Sequence, residues 1–255
     1  MLFRIIILLT TASAISFAPL LHAQQFKVLL FTKTAGWHHE SINEGVDAIL
    51  TLGQEHFFEV VWSEDASRWM NDEMLARFDA IIFLNTTGDI LTGAQQAAME
   101  RFIRSGKGFV GIHSASDTEY DWPWYRRMVG RMFRIHPTIQ TARLLVLDRS
   151  FPGLEFFPDS SLWTDEWYEF GPEETTGLTY ILAVDEKTYA PEANWGSVSG
   201  QGMGEFHPIA WYHHYDGGRA FYTALGHLPS KFSDHAFLQH LFGGIYWAAT
   251  GKGLN

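Results

Sequence analysis

The side chains able to do chemistry in this chain are imidazoles, carboxylates and hydroxyls, because cysteine is absent. That removes thiol nucleophiles, thiolate metal sites and disulfides together. Twelve histidines are present, and several stand in short segments beside glycine, serine or an acid. His38 and His39 lie in Gly36-Trp37-His38-His39-Glu40-Ser41-Ile42. Ser41 is placed to cap a following helix, which leaves the imidazoles in the mouth of a site, and His38 is the expected functional member of the pair. His113 lies in Gly111-Ile112-His113-Ser114-Ala115, with the small neighbours that a strained strand-to-helix turn requires if a side chain is to project above a sheet. If a helix starts there, Asp117 falls four residues on along the same face, where it can orient the ring or join it on a metal. The plainer reading of His113 is a core imidazole satisfied by a backbone carbonyl.

Three further segments extend the set. His136-Pro137 follows a basic, aromatic stretch from Arg126 to Arg134, and the proline holds the chain extended just after the imidazole. Asp165-Glu166-Trp167-Tyr168 sets two acids against two aromatics, an arrangement suited to a sugar, whose hydroxyls bond carboxylates while its C–H face lies on a ring. Gly226-His227 comes directly after an apolar strand pattern. The candidate catalytic residues are therefore His113, His38, Asp165 and Glu166, with Trp37, Tyr168, Trp211 and Asp117 as substrate contacts. Imidazoles and carboxylates without thiolates suit a divalent ion, with zinc, manganese and nickel all admissible. Since no HExxH or HxH spacing occurs, the expected ligands His38, His113, His136 and His227 must come from separate segments. No nucleotide cofactor is expected.

The elements that must position these residues alternate along the chain. Phe26 to Thr32, Phe57 to Trp62, Ala80 to Leu84 and Gly108 to Ile112 are apolar runs of strand length, of the kind covered on both faces in a parallel sheet. Ile42, Val46, Ile49 and Leu50 recur at helical spacing, and a short helix is expected around Asp72 to Arg77. Thr92 with Gln95 forms a capping box for a helix that Ser105-Gly106 ends. Beyond residue 139 the pattern changes. Gln140 to Leu147 and Leu178 to Val184 read as strands, Ile209 to His214 and Arg219 to Ala224 as a hairpin turning at Asp216-Gly217-Gly218, and Phe237 to Ala248 as an apolar helix. The expectation is one α/β domain over residues 24–255, a parallel sheet with an antiparallel extension.

Composition narrows the function classes. Among 255 residues the formal net charge is -11, which repels a polyphosphate backbone and argues against nucleic-acid binding. Arg4, the apolar run Ile5 to Leu9 and the small residues up to Ala23 read as a secretory signal over 1–23, implying a periplasmic or secreted protein without stable membrane insertion after cleavage. Ten tryptophans are enough for a sugar-binding surface, and equally for a core. The expected partner is a small-molecule sugar; a homo-oligomer is compatible with the sequence.

Phe31-Thr32 through Gly36 to Ile42, Phe83 to Gly88, Gly108 to Ala115, His136-Pro137, Asp165 to Tyr168, His207 to Trp211 and Gly218 to His227 together resemble the ThuA-like family, named for trehalose utilisation. The resemblance runs from Phe26 to Thr250. It implies a flavodoxin-like fold related to the class I glutamine amidotransferases, with His113 where those enzymes carry cysteine, so that their amidotransferase reaction is not inherited. It also implies a role in the breakdown of disaccharides and glycosides, including 3-keto derivatives; with these imidazole-rich segments, metal-assisted proton abstraction followed by elimination or hydrolysis is the expected chemistry. Two rival readings use the same residues: a carbohydrate-binding module without catalysis, and an ester or amide hydrolase dependent on Ser114.

Overall fold

Four apolar runs separated by amphipathic helices have few ways to bury themselves, and the chain takes the parallel-sheet solution. The structure, a computed structural model, describes residues 24–254; the expected signal at 1–23 lies outside the described residues. In chain order the first half comprises β1 (Lys27–Phe31), α1 (Ile42–Glu55), β2 (Glu59–Ser63), α2 (Ala66–Trp69), α3 (Asp72–Leu75), β3 (Ala80–Leu84), α4 (Gly93–Arg104), β4 (Gly108–Ile112) and α5 (Pro123–Val129). The second half comprises β5 (Phe133–Ile135), β6 (Gln140–Val146), β7 (Ser160–Asp165), β8 (Glu169–Phe170), β9 (Thr179–Asp185), β10 (Ala193–Asn194), β11 (Ser199–Gly200), β12 (His207–Tyr215), β13 (Gly218–Thr223) and α6 (His235–Thr250).

Nine strands form one sheet in the order β2-β1-β3-β4-β13-β12-β9-β6-β7. The first five run parallel and the remainder pair antiparallel. β3 and β4 are buried at every residue, as strands covered on both faces must be. α1 and α6 pack on each other and on β3, while α4 and α5 pack on β13. The hairpin expected at Asp216-Gly217 is a two-residue turn between β12 and β13 with φ of 46° and 88°, the positive-φ pair that matches strand twist. Gln95 accepts the Thr92 backbone N–H at 2.8 Å, so the α4 cap forms as its sequence indicates.

The differences are local. β2 starts at Glu59 because Phe57 takes φ 55° and turns the chain first. β7 escapes the apolar pattern because it is a sheet edge, with Leu162 among the exposed residues. Ser41 makes no side-chain cap on α1; its hydroxyl instead donates to the Gly226 carbonyl at 3.0 Å. Among the described residues no helix is long and apolar enough to cross a membrane.

Candidate metal centre

Three of the loops that leave the parallel strands at their carboxyl edge each carry a histidine, and that edge is where ligands bind in open α/β sheets. His39 follows β1, His113 follows β4 and His227 follows β13. Register brings the last two together: Ile112 pairs with Thr223, so Ala224 lies beside His113 and its carbonyl meets His113 Nδ1 at 2.7 Å. A carbonyl can only accept, so Nδ1 carries the proton and Nε2 keeps its lone pair for the pocket, the usual arrangement of a metal-ligating imidazole. His113 holds φ 51°, an uncommon value for a residue with a Cβ. It is the strained strand end that its small neighbours suggest.

The acid comes from the other half of the sheet. Glu166, directly after β7, places Oε2 3.1 Å from His227 Nδ1 and 3.5 Å from His113 Nε2, and Oε1 3.2 Å from His136 Nδ1. One ligand atom each from His39, His113, Glu166 and His227 lie within 4.8 Å of one another. Three imidazoles and one carboxylate at this spacing suit a borderline divalent ion. All but His227 are buried.

The electrostatics keep most of these groups in ligating form. Burial, and then the neighbouring rings of His113 and His227, push the His39 pKa down to about 2, so that ring is neutral. For Glu166 burial opposes ionisation, yet the neighbouring His113 and His227 rings, the latter donating from Nδ1, hold its carboxyl well below the usual carboxylate range. Burial lowers the His227 pKa, but the bond to Glu166 outweighs it and the net shift is upward. His136 is lowered, chiefly by burial. Burial raises the Tyr168 phenol far above its ordinary value, so it stays protonated and donates to His113 Nε2 at 2.8 Å. An incoming ion would have to take that lone pair from it.

Long-range bonds hold the loops in place. The buried Asp165 carboxylate accepts the backbone N–H groups of Gly226 and His227, each at 3.1 Å, and of Glu166 at 3.0 Å. Asn85 Nδ2 donates to Ser41 Oγ at 2.8 Å, which in turn binds the Gly226 carbonyl. Gly226 itself has φ 117°, a conformation open only to glycine, and it aims His227 back over the strand ends.

The expected set is therefore revised at several positions. His38 stands outside the cluster, exposed, 3.4 Å from Thr34 Oγ1; the inward ring is His39. The cause is the loop, gripped where Thr87 Oγ1 accepts the Gly36 N–H and donates to the Trp37 carbonyl. His136 touches Glu166 and the Pro137 carbonyl and is not one of the four grouped residues. Both Asp165 oxygens are occupied by N–H donors, which gives this residue a positioning role. Asp117 lies in a 3-10 turn, His113–Asp117, whose three residues per turn do not stack positions four apart; its carboxylate accepts from Tyr120 at 2.7 Å instead. Tyr168 is buried, 4.4 Å from the His113 ring and 4.3 Å from Phe133 between centroids, which leaves no face for a sugar. Trp211 is core, donating to the Val129 carbonyl at 2.7 Å. Trp37 is 70% exposed. Trp195, which no local pattern singled out, stands 51% exposed beside His136. Ser114 Oγ reaches His39 Nδ1 at 3.3 Å, but it is fully buried, and so weakly basic a ring is a poor activator.

In overall shape the protein matches a ThuA-like protein from Bacteroides uniformis (TM-score 0.72, 21% identity, 93% of this chain and 95% of that one). A second ThuA-like protein, from Parabacteroides merdae, gives TM-score 0.69 at 19% identity, over 90% and 92% of the two chains. A β-galactosidase from Bacillus circulans gives 0.54 at 14% identity, covering 91% of this chain but 31% of that enzyme. At these identities the likeness concerns the fold. No curated protein matches. The family described as ThuA, trehalose utilisation, matches residues 27–248, and the chain belongs to it. That family points to a carbohydrate-related role.

Proposed function

We propose that this protein is a divalent-metal-dependent enzyme acting on a 3-keto-glycoside or a related sugar derivative, by proton abstraction next to the ketone and departure of the glycosidic oxygen. The observation that carries the reading is the convergence of His39, His113, His227 and Glu166 within 4.8 Å, with the His113 tautomer set by the Ala224 carbonyl. These four residues would hold the ion. When bound, it would polarise the ketone and stabilise the negative charge that develops on its oxygen.

The remaining chemistry falls to this chain's own side chains. His136 has Nδ1 engaged by Pro137 and Glu166, which leaves Nε2 to act as base. Its lowered pKa keeps it neutral and able to accept a proton at neutral pH. It takes the C2 proton, the C–H electron pair becomes the C1–C2 double bond, and the C1–O bond breaks. The same imidazolium then returns the proton to the departing oxygen. Water added across the double bond completes a net hydrolysis. Tyr168 Oη, protonated throughout, is a hydrogen-bond donor at the pocket wall. The family description, trehalose utilisation, supports a sugar as substrate.

Protein purified without added metal should contain close to one divalent ion per chain by elemental analysis. His113→Ala should lose both the ion and turnover of a 3-keto-glycoside while its far-ultraviolet circular dichroism is unchanged. A folded variant with full turnover would overturn the reading. Sugar binding that survives in that variant, without turnover by the parent, would favour a binding module instead. Labelling of Ser114 by a serine-reactive phosphonate would favour a hydrolase.

A further inference from the structure

Beside the cluster lies a groove of about 410 Å³ whose lining includes His136, Gln140, Glu192, Asn194 and Trp195. It adjoins the centre at two points. His136 reaches Glu166 through Nδ1, and Gln140 pairs across β6 and β7 with Asp165, the residue that holds the His227 turn. The groove is mixed in character. An indole meets the His136 ring edge-on at 4.8 Å, while Glu192 and Asn194 are exposed polar side chains. An aromatic face with hydroxyl-binding groups around it is the surface that a pyranose ring fits.

Trp195 is exposed by construction. It sits at the tip of the β10–β11 hairpin, where its N–H closes the turn on the Val198 carbonyl at 2.9 Å. Both ends of that hairpin are clamped from outside. Gln140 exchanges two bonds with the backbone of Ala190, at 2.8 and 3.0 Å, and Arg134, ion-paired with Glu169, donates to the Ser199 carbonyl at 2.9 Å. Glu169 also accepts the Gly202 N–H at 2.8 Å. A hairpin clamped in this way keeps its indole from collapsing onto the core, so a ligand finds the platform already ordered.

We propose that this groove is a subsite for the second sugar unit of the substrate: the departing pyranose stacks on Trp195 while the reacting ring lies at the histidine cluster. The inference rests on the reading above that a glycoside reacts at that cluster, and it makes the preferred substrate a disaccharide derivative rather than a simple alkyl glycoside. Trp195→Ala should raise KM for a 3-keto-disaccharide about tenfold with kcat nearly unchanged. It should lower kcat/KM for the methyl 3-keto-glycoside several-fold less than for the disaccharide, since Trp195 also packs on His136, and Trp195→Phe should restore most of the loss. Equal losses on both substrates, or none on either, would overturn the subsite. A second measurement needs no turnover: saturation-transfer NMR of free glucose and of trehalose on chelator-treated protein should show contact that Trp195→Ala removes, and contact unaffected by that change would also overturn it. If His113→Ala abolishes turnover but Trp195→Ala changes nothing, the cluster reading stands and the subsite falls. If sugar contact depends on Trp195 in a protein that turns over no glycoside, the groove binds sugar and the catalytic reading falls.

Discussion

The two halves of the sheet hold their shares of the cluster by different means. In the parallel half, His113 follows β4 directly and His227 comes just after β13, on buried strands whose neighbours are set by ladder register, while His39 sits in the loop after β1 that Thr87 grips. In the antiparallel half, Glu166 follows an edge strand and owes its position to the Asp165 carboxylate, which binds the 226–227 turn across the gap. The parallel edge supplies a rigid base that packing already pays for, whereas the antiparallel part must be tied on through a few polar bonds. Ligand geometry should therefore be robust on one side and sensitive to single polar substitutions on the other.

The adjacent histidines after β1 test the rigid side most severely. His39→Ala should weaken zinc binding, read by competition with a chelating dye, by more than the roughly 100-fold that loss of an outer-shell partner can cost. His38→Ala should leave it unchanged, and a comparable loss there would place the wrong ring in the centre. The tied side is probed by Asp165→Asn, which keeps the shape but replaces one acceptor oxygen by a donor. Zinc affinity should fall about 10–100-fold, and the Gly226 and His227 amides should exchange faster in deuterium oxide. If exchange is unaltered, the two halves are joined by something other than this carboxylate.

The smallest effect concerns stability away from the centre. His240 on α6 is fully buried among Phe157, Phe221 and Phe237, and neither ring nitrogen has a hydrogen-bond partner among the described residues. Burial lowers its pKa from 6.5 to about 3, so the unfolded chain binds a proton that the folded chain refuses. Its contribution to stability is therefore undiminished above pH 6.5 and declines as pH falls from there towards 3. His240→Leu should raise stability by about 1–2 kcal/mol, the order expected on relieving an unsatisfied buried polar group, and flatten the acid side of a plot of Tm against pH. A Tm that falls with the substitution, or an unchanged acid limb, would assign His240 a partner within the fold.

Much of the frame was legible in the residues themselves. The apolar runs that became β1, β3 and β4, the Thr92–Gln95 cap and the Asp216-Gly217 turn are local signals, each read correctly from neighbours a few positions away. His113 was visible as a candidate at a strand end, although the same signal fitted a core imidazole on a backbone carbonyl, the bond that its Nδ1 makes to Ala224. His39 was not separable from His38 by any local rule, because adjacent loop residues differ in direction only through the bonds that hold the loop, here to Thr87 some fifty positions on. Tyr168 and Trp211 carried the signature of a sugar platform equally well as that of a core, and burial decided for the core.

By itself, then, the order of amino acids determined a parallel sheet with imidazoles at its carboxyl edge, because periodicity and turn chemistry act over short distances. Tertiary structure alone decided that His39 faces inward, that Glu166 bridges three histidines and that Trp195 flanks them. Those outcomes hang on contacts such as Ser41 with Gly226 and Asp165 with His227, 185 and 62 residues apart, and hydrogen bonds of that span leave no mark on any local pattern.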